Sequence, residues 1–276
     1  MTLIKDNNML QALGHKLSRI NNFIIDLDGV VYQGMQAIPG AIDALEKFTA
    51  LGKKIIFLTN NSTSTTLQIN QKLLKLGFNC AHNHIMTSAR ATALVIREHH
   101  LDEGLGVYVI GSDGLRQELN DIGIKSVNAN MCGAVVVGMD FEFSYKSIAD
   151  AVNALQRSIP LICCNRDPNF PGTNGQLLPG CGSIIASIEI ASNRKADWEI
   201  GKPSTTMLDI IFQRFSISSN DCLIIGDRFE SDIMMANQAS LPSILITPSQ
   251  INYGILAPSF QIESLEGIAK QIYAEN

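Results

Sequence analysis

Four places in the chain set polar side chains directly behind an apolar run. In FIIDLDGVVY the run delivers Asp26 and Asp28, two residues apart, and then Gly29. Ligands of open α/β sheets bind at the C-terminal ends of the strands. Two carboxylates there repel an anionic substrate unless a cation such as Mg²⁺ lies between them and it. The competing reading is a strand-end turn for which Asp28-Gly29 supplies the geometry. IIFLTNNST ends on Thr59, Asn60 and Asn61, whose hydroxyl, amides and N–H groups suit phosphoryl oxygens but equally suit capping of the helix that follows. EIGKPS holds Lys202 between Gly201 and Pro203, either a cation for a bound anion or a solvated charge. In CLIIGDRFESD, Asp227 follows Gly226, and Asp232 stands at a helix start that it would cap or whose dipole it would favour. Each has an ordinary explanation alone. Four strand ends carrying Asp-x-Asp, Thr-Asn, Lys and Gly-Asp in that order are a joint pattern that chance supplies far less readily.

The elements that must position these residues follow a βαβ rhythm. FIID (23–26) reads as a strand, 39–51 as a helix from Pro39 closed by Gly52, and 53–59 as the next strand. Helices are expected over 65–76 and 89–99, strands over 106–111, 133–138 and 161–165, and helices over 183–192 and 205–215. WEIG (198–201) precedes Lys202, and 222–227 and 243–247 read as further strands. The three middle strands suffice for a separate sheet. The stretch 165–180, rich in Pro, Gly and Asn, is longer than an ordinary connection, a length associated with function.

With 276 residues, a net charge of −5 and 46% hydrophobic against 17% charged residues, the chain has the composition of a globular protein and not of a general nucleic-acid binder. No apolar stretch approaches the roughly 18 residues of a membrane span. The N-terminus lacks the apolar core and cleavage site of a signal peptide, so a cytoplasmic location is expected. The cysteines at 80, 132, 163, 164, 181 and 222 form no CxxC and read as reduced, mostly buried residues. His82 and His84 lack a third ligand and are expected in a solvated loop.

Together these residues resemble the haloacid dehalogenase superfamily of aspartyl-phosphate phosphohydrolases, within subfamily IIA, the NagD-like p-nitrophenyl phosphatases. CNRDPNFPG, LPGCGSIIASIEIASNRK and GKPS extend the likeness over nearly the whole chain. The resemblance implies an α/β fold: a Rossmann-like, doubly wound parallel sheet core at 1–100 and 184–276, with an inserted α/β cap domain of type 2 at 101–183. It implies a phosphatase of small phosphomonoesters, such as sugar phosphates or nucleoside monophosphates. Carried over residue by residue, it makes Asp26 the nucleophile that becomes an aspartyl phosphate and Asp28 the general acid and base. Mg²⁺ would be bound by the Asp26 and Asp227 carboxylates and the Asp28 carbonyl, with Asp232 in support. Thr59, Asn60, Asn61 and Lys202 would face the phosphoryl oxygens, and Asn165, Arg166 and Asp167 of the cap the leaving group. Phe170 stands where one similar branch carries a His, which argues against pyridoxal phosphate. Caps of this type often pair two chains, so a homodimer through the cap is expected, with no nucleic-acid or membrane partner.

Alternatives fit less well. Dehalogenases do not need the second aspartate, a receiver domain is far shorter, and neither G-x-G-x-x-G nor a P-loop is present. A catalytically silent phosphometabolite-binding protein of the same fold is the remaining alternative.

Overall fold

The strands, in chain order, are β1 (Asn22–Ile25), β2 (Tyr32–Gln33), β3 (Gln36–Ala37), β4 (Lys54–Thr59), β5 (Ile85–Thr87), β6 (Val107–Ile110), β7 (Ala134–Val137), β8 (Leu161–Cys163), β9 (Asn169–Pro171), β10 (Leu177–Pro179), β11 (Trp198–Glu199), β12 (Cys222–Gly226), β13 (Ser243–Ile246) and β14 (Phe260–Ile262). The helices are α1 (Ala41–Ala50), α2 (Thr66–Lys75), α3 (Ser88–His99), α4 (Asp113–Asn120), α5 (Tyr145–Leu155), α6 (Cys181–Ser192), α7 (Thr206–Phe215), α8 (Met234–Gln238) and α9 (Leu265–Tyr273). This computed structural model describes residues 17–172 and 176–273, so the expectation for the N-terminal leader and the middle of the 165–180 stretch lie outside the described residues.

Two compact units emerge. The first takes Met1–Thr59, Ile69–Met86 and Leu208–Asn276, the second Asn60–Gln68 and Thr87–Met207. The expected cap, 101–183, falls inside the second unit, which also holds 60–68, 87–100 and 184–207.

The first unit is built on a six-stranded sheet of order β14-β13-β12-β1-β4-β5. β1 pairs in parallel with β12 on one side and β4 on the other, and β12, β13 and β14 continue in parallel. β1 and β12 are buried on both faces, as continuous apolar runs in a covered parallel sheet must be. The chain moves outward from β1 to β4 and β5 and, separately, from β12 to β13 and β14. The reversal therefore lies between β1 and β12, the crevice where open α/β sheets bind ligands. Phe23, Phe48, Phe57 and Ile225 are among the residues that fill the core, with Phe23 edge-on to Phe48 at 5.1 Å.

The second unit has its own four-stranded sheet, β11-β8-β7-β6, parallel throughout, packed with Val135, Val137, Leu161, Ile185 and Ile188 among others. Part of the 165–180 stretch is not loop: β9 and β10 form an antiparallel hairpin. Its prolines, Pro171 and Pro179, hid it, because Pro reads against strand. The six cysteines are free and five are buried; burial pushes the Cys164 thiol up to about 12. His84 differs from expectation. It lies in a short 3₁₀ turn, with Nδ1 3.1 Å from the Ile55 carbonyl and its ring edge-on to Phe215, and burial lowers its pKa. Among the described residues no helix is long and apolar enough to cross a membrane.

Candidate active site

In the first unit the site begins where β1 and β12 end side by side. Asp26 leaves β1 and its N–H donates to the Ile225 carbonyl at 2.8 Å, so the two strand ends are locked together at the point where the acids emerge. Asp227 leaves β12 one residue later. Asp232 follows on a single π-helical turn, Phe229–Ile233, where a plain helix from Ser231 was expected. Such turns place side chains that a regular helix would point elsewhere. The Asp232 carboxylate accepts from the Arg228 N–H at 3.1 Å and the Ser231 hydroxyl at 3.4 Å, and the residue is 1% exposed.

Two glycines make room for these carboxylates. Gly29 sits at φ +85°, and a Cβ there would lie 2.0 Å from Asp227 Oδ2. A Cβ at Gly226 would lie 2.2 Å from Asp232 Cγ. The result is a cluster in which Asp26, Asp227 and Asp232 each bring a carboxylate oxygen within 4.8 Å of the others. Asp26 and Asp232 are buried and Asp227 half-buried. Three like charges at that spacing repel strongly in a medium of low polarity. All-oxygen, all-anionic donors are the set that hard divalent cations take. The residues present thus fit a divalent metal.

Asp28 is not among those three. It is exposed beside the tight turn 27–32, where the Gly29 N–H donates to the Tyr32 carbonyl at 2.8 Å. The Tyr32 phenol is buried below it, and its pKa is raised by burial and by the charges of Asp28 and Asp26, so it stays protonated. Lys72 on α2 places its Nζ 3.3 Å from the centre of the Tyr32 ring, and burial lowers its pKa against the opposing pull of Asp28. Thr59, the last residue of β4, is buried in the same unit.

The remaining expected residues belong to the second unit, which the chain enters through the Thr59–Asn60 peptide bond. Asn60 is 9% exposed, and its carboxamide faces one backbone residue: Oδ1 accepts from the Lys202 N–H at 2.8 Å, and Nδ2 donates to the Lys202 carbonyl at 3.0 Å. Nδ2 also donates to Asp167 Oδ1 at 3.1 Å. Asn165 Nδ2 donates to the Asn60 carbonyl at 2.8 Å, and Asn165 Oδ1 accepts from the Asp167 N–H at 3.1 Å. Asn60, Asn165, Asp167 and Lys202 are therefore one hydrogen-bonded group. Lys202 is buried, and the peptide bond to Pro203 is cis.

Asn61 and Arg166 are engaged differently. Asn61 Oδ1 accepts from the N–H groups of Thr63 and Ser64, both at 2.9 Å, in an Asx turn ahead of α2; the cap weighed from the sequence is made instead by Thr65, whose Oγ1 accepts from the Gln68 N–H at 3.1 Å. Arg166 meets Glu189 through two nitrogens, at 2.6 and 3.3 Å, and Glu199 at 2.6 Å. Its pKa is raised by those carboxylates, and it holds the Glu189 carboxyl down at about 2.

Sequence reasoning passed over several residues that brace this group. Ser88 Oγ donates to the Asn60 carbonyl at 2.7 Å. Glu118, 1% exposed on α4, accepts from the Thr66 N–H and pairs with Arg90. Glu189 is buried mid-helix. A glutamate among apolar neighbours, as in SIIASIEIAS, was the available signal, since a buried acid needs a partner.

Comparison with known proteins shows the family to which the chain belongs. The family model described as haloacid dehalogenase-like hydrolase matches residues 23–125, and a second HAD-hydrolase-like model matches 199–255. Human chronophin is 33% identical over 247 residues, covering 85% of this chain and 83% of its own. The chain is a haloacid dehalogenase-like hydrolase. Within that family it is also 32% identical to glycerol-3-phosphate phosphatase of Rattus norvegicus, over 83% of this chain and 79% of that one. Among solved structures, the 4-nitrophenylphosphatase of Thermotoga maritima superposes with a TM-score of 0.86 at 27% identity, covering 94% of this chain and 99% of that chain. The NagD-like, p-nitrophenyl phosphatase-like branch of the family is thus the one to which this hydrolase belongs.

Proposed function

We propose that the chain is a Mg²⁺-dependent phosphatase of small phosphomonoesters that works through an aspartyl phosphate on Asp26. The observation that carries this reading is the convergence of Asp26, Asp227 and Asp232 at the switch point of the parallel sheet. The relatives named above, whose names are those of phosphatases, support the class.

An Asp26 carboxylate oxygen attacks phosphorus, and the bond from phosphorus to the ester oxygen breaks. Asp28 gives its proton to the departing alkoxide. A water molecule then attacks the same phosphorus while Asp28 takes its proton, and phosphate leaves with the Asp26 carboxylate restored. Asp28 is suited to this exchange because it is exposed and its carboxylate is not among the three that cluster at Asp26, Asp227 and Asp232. The Asp26 and Asp227 carboxylates and the Asp28 carbonyl, with Asp232 in support, would hold Mg²⁺, which would supply charge neutralisation. Thr59 donates to a phosphoryl oxygen, and Lys202 counters the charge that spreads over those oxygens as the bond breaks. Asn61 contributes backbone N–H to that anion, its side-chain oxygen being committed to the turn that follows. The cap, 101–183, covers the leaving group, with Asn165, Arg166 and Asp167 as its residues towards that group. The protein works in the cytoplasm and pairs through the cap.

Phosphate release from p-nitrophenyl phosphate and a panel of cellular phosphomonoesters tests the reading. Mg²⁺-dependent release from at least one ester is expected, and the ranking identifies the leaving group. Binding of an ester without turnover by the wild type contradicts catalysis and leaves a silent binding protein.

A further inference from the structure

The carboxamide of Asn60 is not available to a ligand in the ordinary way, because three of its hydrogen-bonding positions are already taken. It faces both the N–H and the C=O of Lys202, at 2.8 and 3.0 Å, as a neighbouring strand would face one residue across a ladder. That pairing also fixes which end of the amide is which: the N–H of Lys202 demands an oxygen and its carbonyl demands an NH₂. Around the pair the backbone has no slack. The Gly201 N–H donates to the Cys164 carbonyl at 2.8 Å. A Cβ at Gly201 would lie 2.6 Å from that carbonyl and 2.7 Å from both Asn60 Oδ1 and Asn165 Cβ. Asn60's own carbonyl is gripped by Ser88 and Asn165, at 2.7 and 2.8 Å.

A lysine is an ammonium on a flexible stem, so its value as a preorganised charge depends on how firmly its backbone is held. The third bond of Asn60, to Asp167 at 3.1 Å, ties this anchor to the segment that leads into β9. That segment is itself seated closely. The Gly180 N–H donates to the Pro168 carbonyl at 2.9 Å, and a Cβ at Gly180 would lie 2.2 Å from the Asp167 carbonyl oxygen. Arg166, between Asn165 and Asp167, is clamped by Glu189 and Glu199.

We propose that Asn60 is a positioning residue that fixes Lys202 through its backbone, and that Asp167 is the link by which the segment 165–171 bears on that lysine. The proposal rests on the role given to Lys202 under the proposed function. It moves Asn60 from the set of groups that touch phosphate to the set that holds the group doing so, and it makes residues 165–171 part of the phosphate anchor as well as of the cap.

The test is a set of double-mutant cycles on the full chain, read as kcat and KM for p-nitrophenyl phosphate, with thermal unfolding as a check on folding. Asn60→Asp keeps the acceptor for the Lys202 N–H, removes the donor to its carbonyl and sets two carboxylates against each other. It should lower kcat by about 100-fold with a smaller change in KM, as loss of one transition-state donor does. In a Lys202→Met background the same change should lower kcat by less than about threefold, because a residue acting through Lys202 has nothing left to position. Asn60→Asp with Asp167→Asn restores that side-chain pair with donor and acceptor exchanged and should recover about tenfold. If Asn60→Asp fails to fold, Asp167→Ala carries the test, with a loss of about tenfold that vanishes in the Lys202→Met background.

Effects of Asn60 and Lys202 that multiply, or an Asn60→Asp enzyme within threefold of wild type, overturn the proposal while leaving the phosphatase reading intact. A Lys202→Met enzyme at the wild-type rate overturns the role of Lys202 and the proposal with it, and a wild type without turnover overturns the phosphatase reading as well.

Discussion

The two units hold their functional charges by opposite means. In the first, Asp26, Asp227 and Asp232 converge into one cluster of like charges, and the cluster is shaped by what is missing: the side chains of Gly29 and Gly226. In the second, Lys202 sits in a group of amides and one carboxylate, and the nearby Glu189 is met by Arg166, Lys195 and the Ala196 N–H. The first arrangement gathers like charges that suit an external cation, whereas the second is cross-linked by hydrogen bonds within the protein. Electrostatic strain therefore belongs to the first unit and rigidity to the second.

The sharpest way to break this contrast is to fill the space at Gly29. Gly29→Ala adds a Cβ 2.0 Å from Asp227 Oδ2 at a φ of +85°. Relieving that contact must move the Asp227 carboxylate by about 1 Å or more, and a misplacement of about 1 Å in an active site is worth about 100-fold in rate. A Mg²⁺ titration of activity should show the loss together with a raised requirement for metal; an unchanged titration would mean that Asp227 does not bear on the cation.

Asp232→Asn acts on the same cluster more gently, since the amide keeps the shape and removes one charge. Metal affinity should fall by about 10- to 100-fold, the usual effect of altering a supporting group. Isothermal titration with Mg²⁺ checks it without reference to turnover, and unaltered affinity would remove Asp232 from the site.

In the second unit the corresponding change is Glu189→Gln, which should leave Mg²⁺ affinity untouched. It should lower stability by about 1–3 kcal/mol, because Arg166 is partly exposed and solvent takes over some of its charge. Urea unfolding measures it. The pH dependence has a definite sign. The Glu189 carboxyl titrates at about 2 when folded against an ordinary 4.5. A lowered pKa means that the contribution is fully present above about 4.5, declines as pH falls below that value and is gone below about 2. The wild type should therefore lose its advantage over Glu189→Gln across that window; a difference that persists at pH 2 would exclude the ion pair as its source. At the small end, Lys146→Ala removes an exposed pair with Asp150 at 2.6 Å and should change stability by less than about 0.5 kcal/mol, which calibrates the Glu189 result.

The same contrast explains what could be read before the fold was known. Asp26 and Asp227 were legible because each directly follows an apolar strand, and the sheet aligns strand ends without help from distant side chains. Asp26 and Asp227 needed only β1 and β12 to be neighbours. The Asn60–Lys202 pair joins residues 142 apart through one side chain, and no periodicity announces it. Asn60 was read as a phosphate ligand because it follows Thr59, although its carboxamide turns to the lysine. Arg166 was read as facing the leaving group because its charge is unmistakable; Glu189 and Glu199, 23 and 33 positions on, take that charge. The β9–β10 hairpin was obscured by its prolines.

The most direct test of the account is the release of phosphate from p-nitrophenyl phosphate by the wild type and by Asp26→Asn, each with Mg²⁺ and with EDTA. The account predicts turnover by the wild type with Mg²⁺, none with EDTA, and none by Asp26→Asn under either condition despite a folded protein. Turnover by Asp26→Asn at a rate near that of the wild type would contradict it, because no other carboxylate of the cluster could then be denied the nucleophile's part.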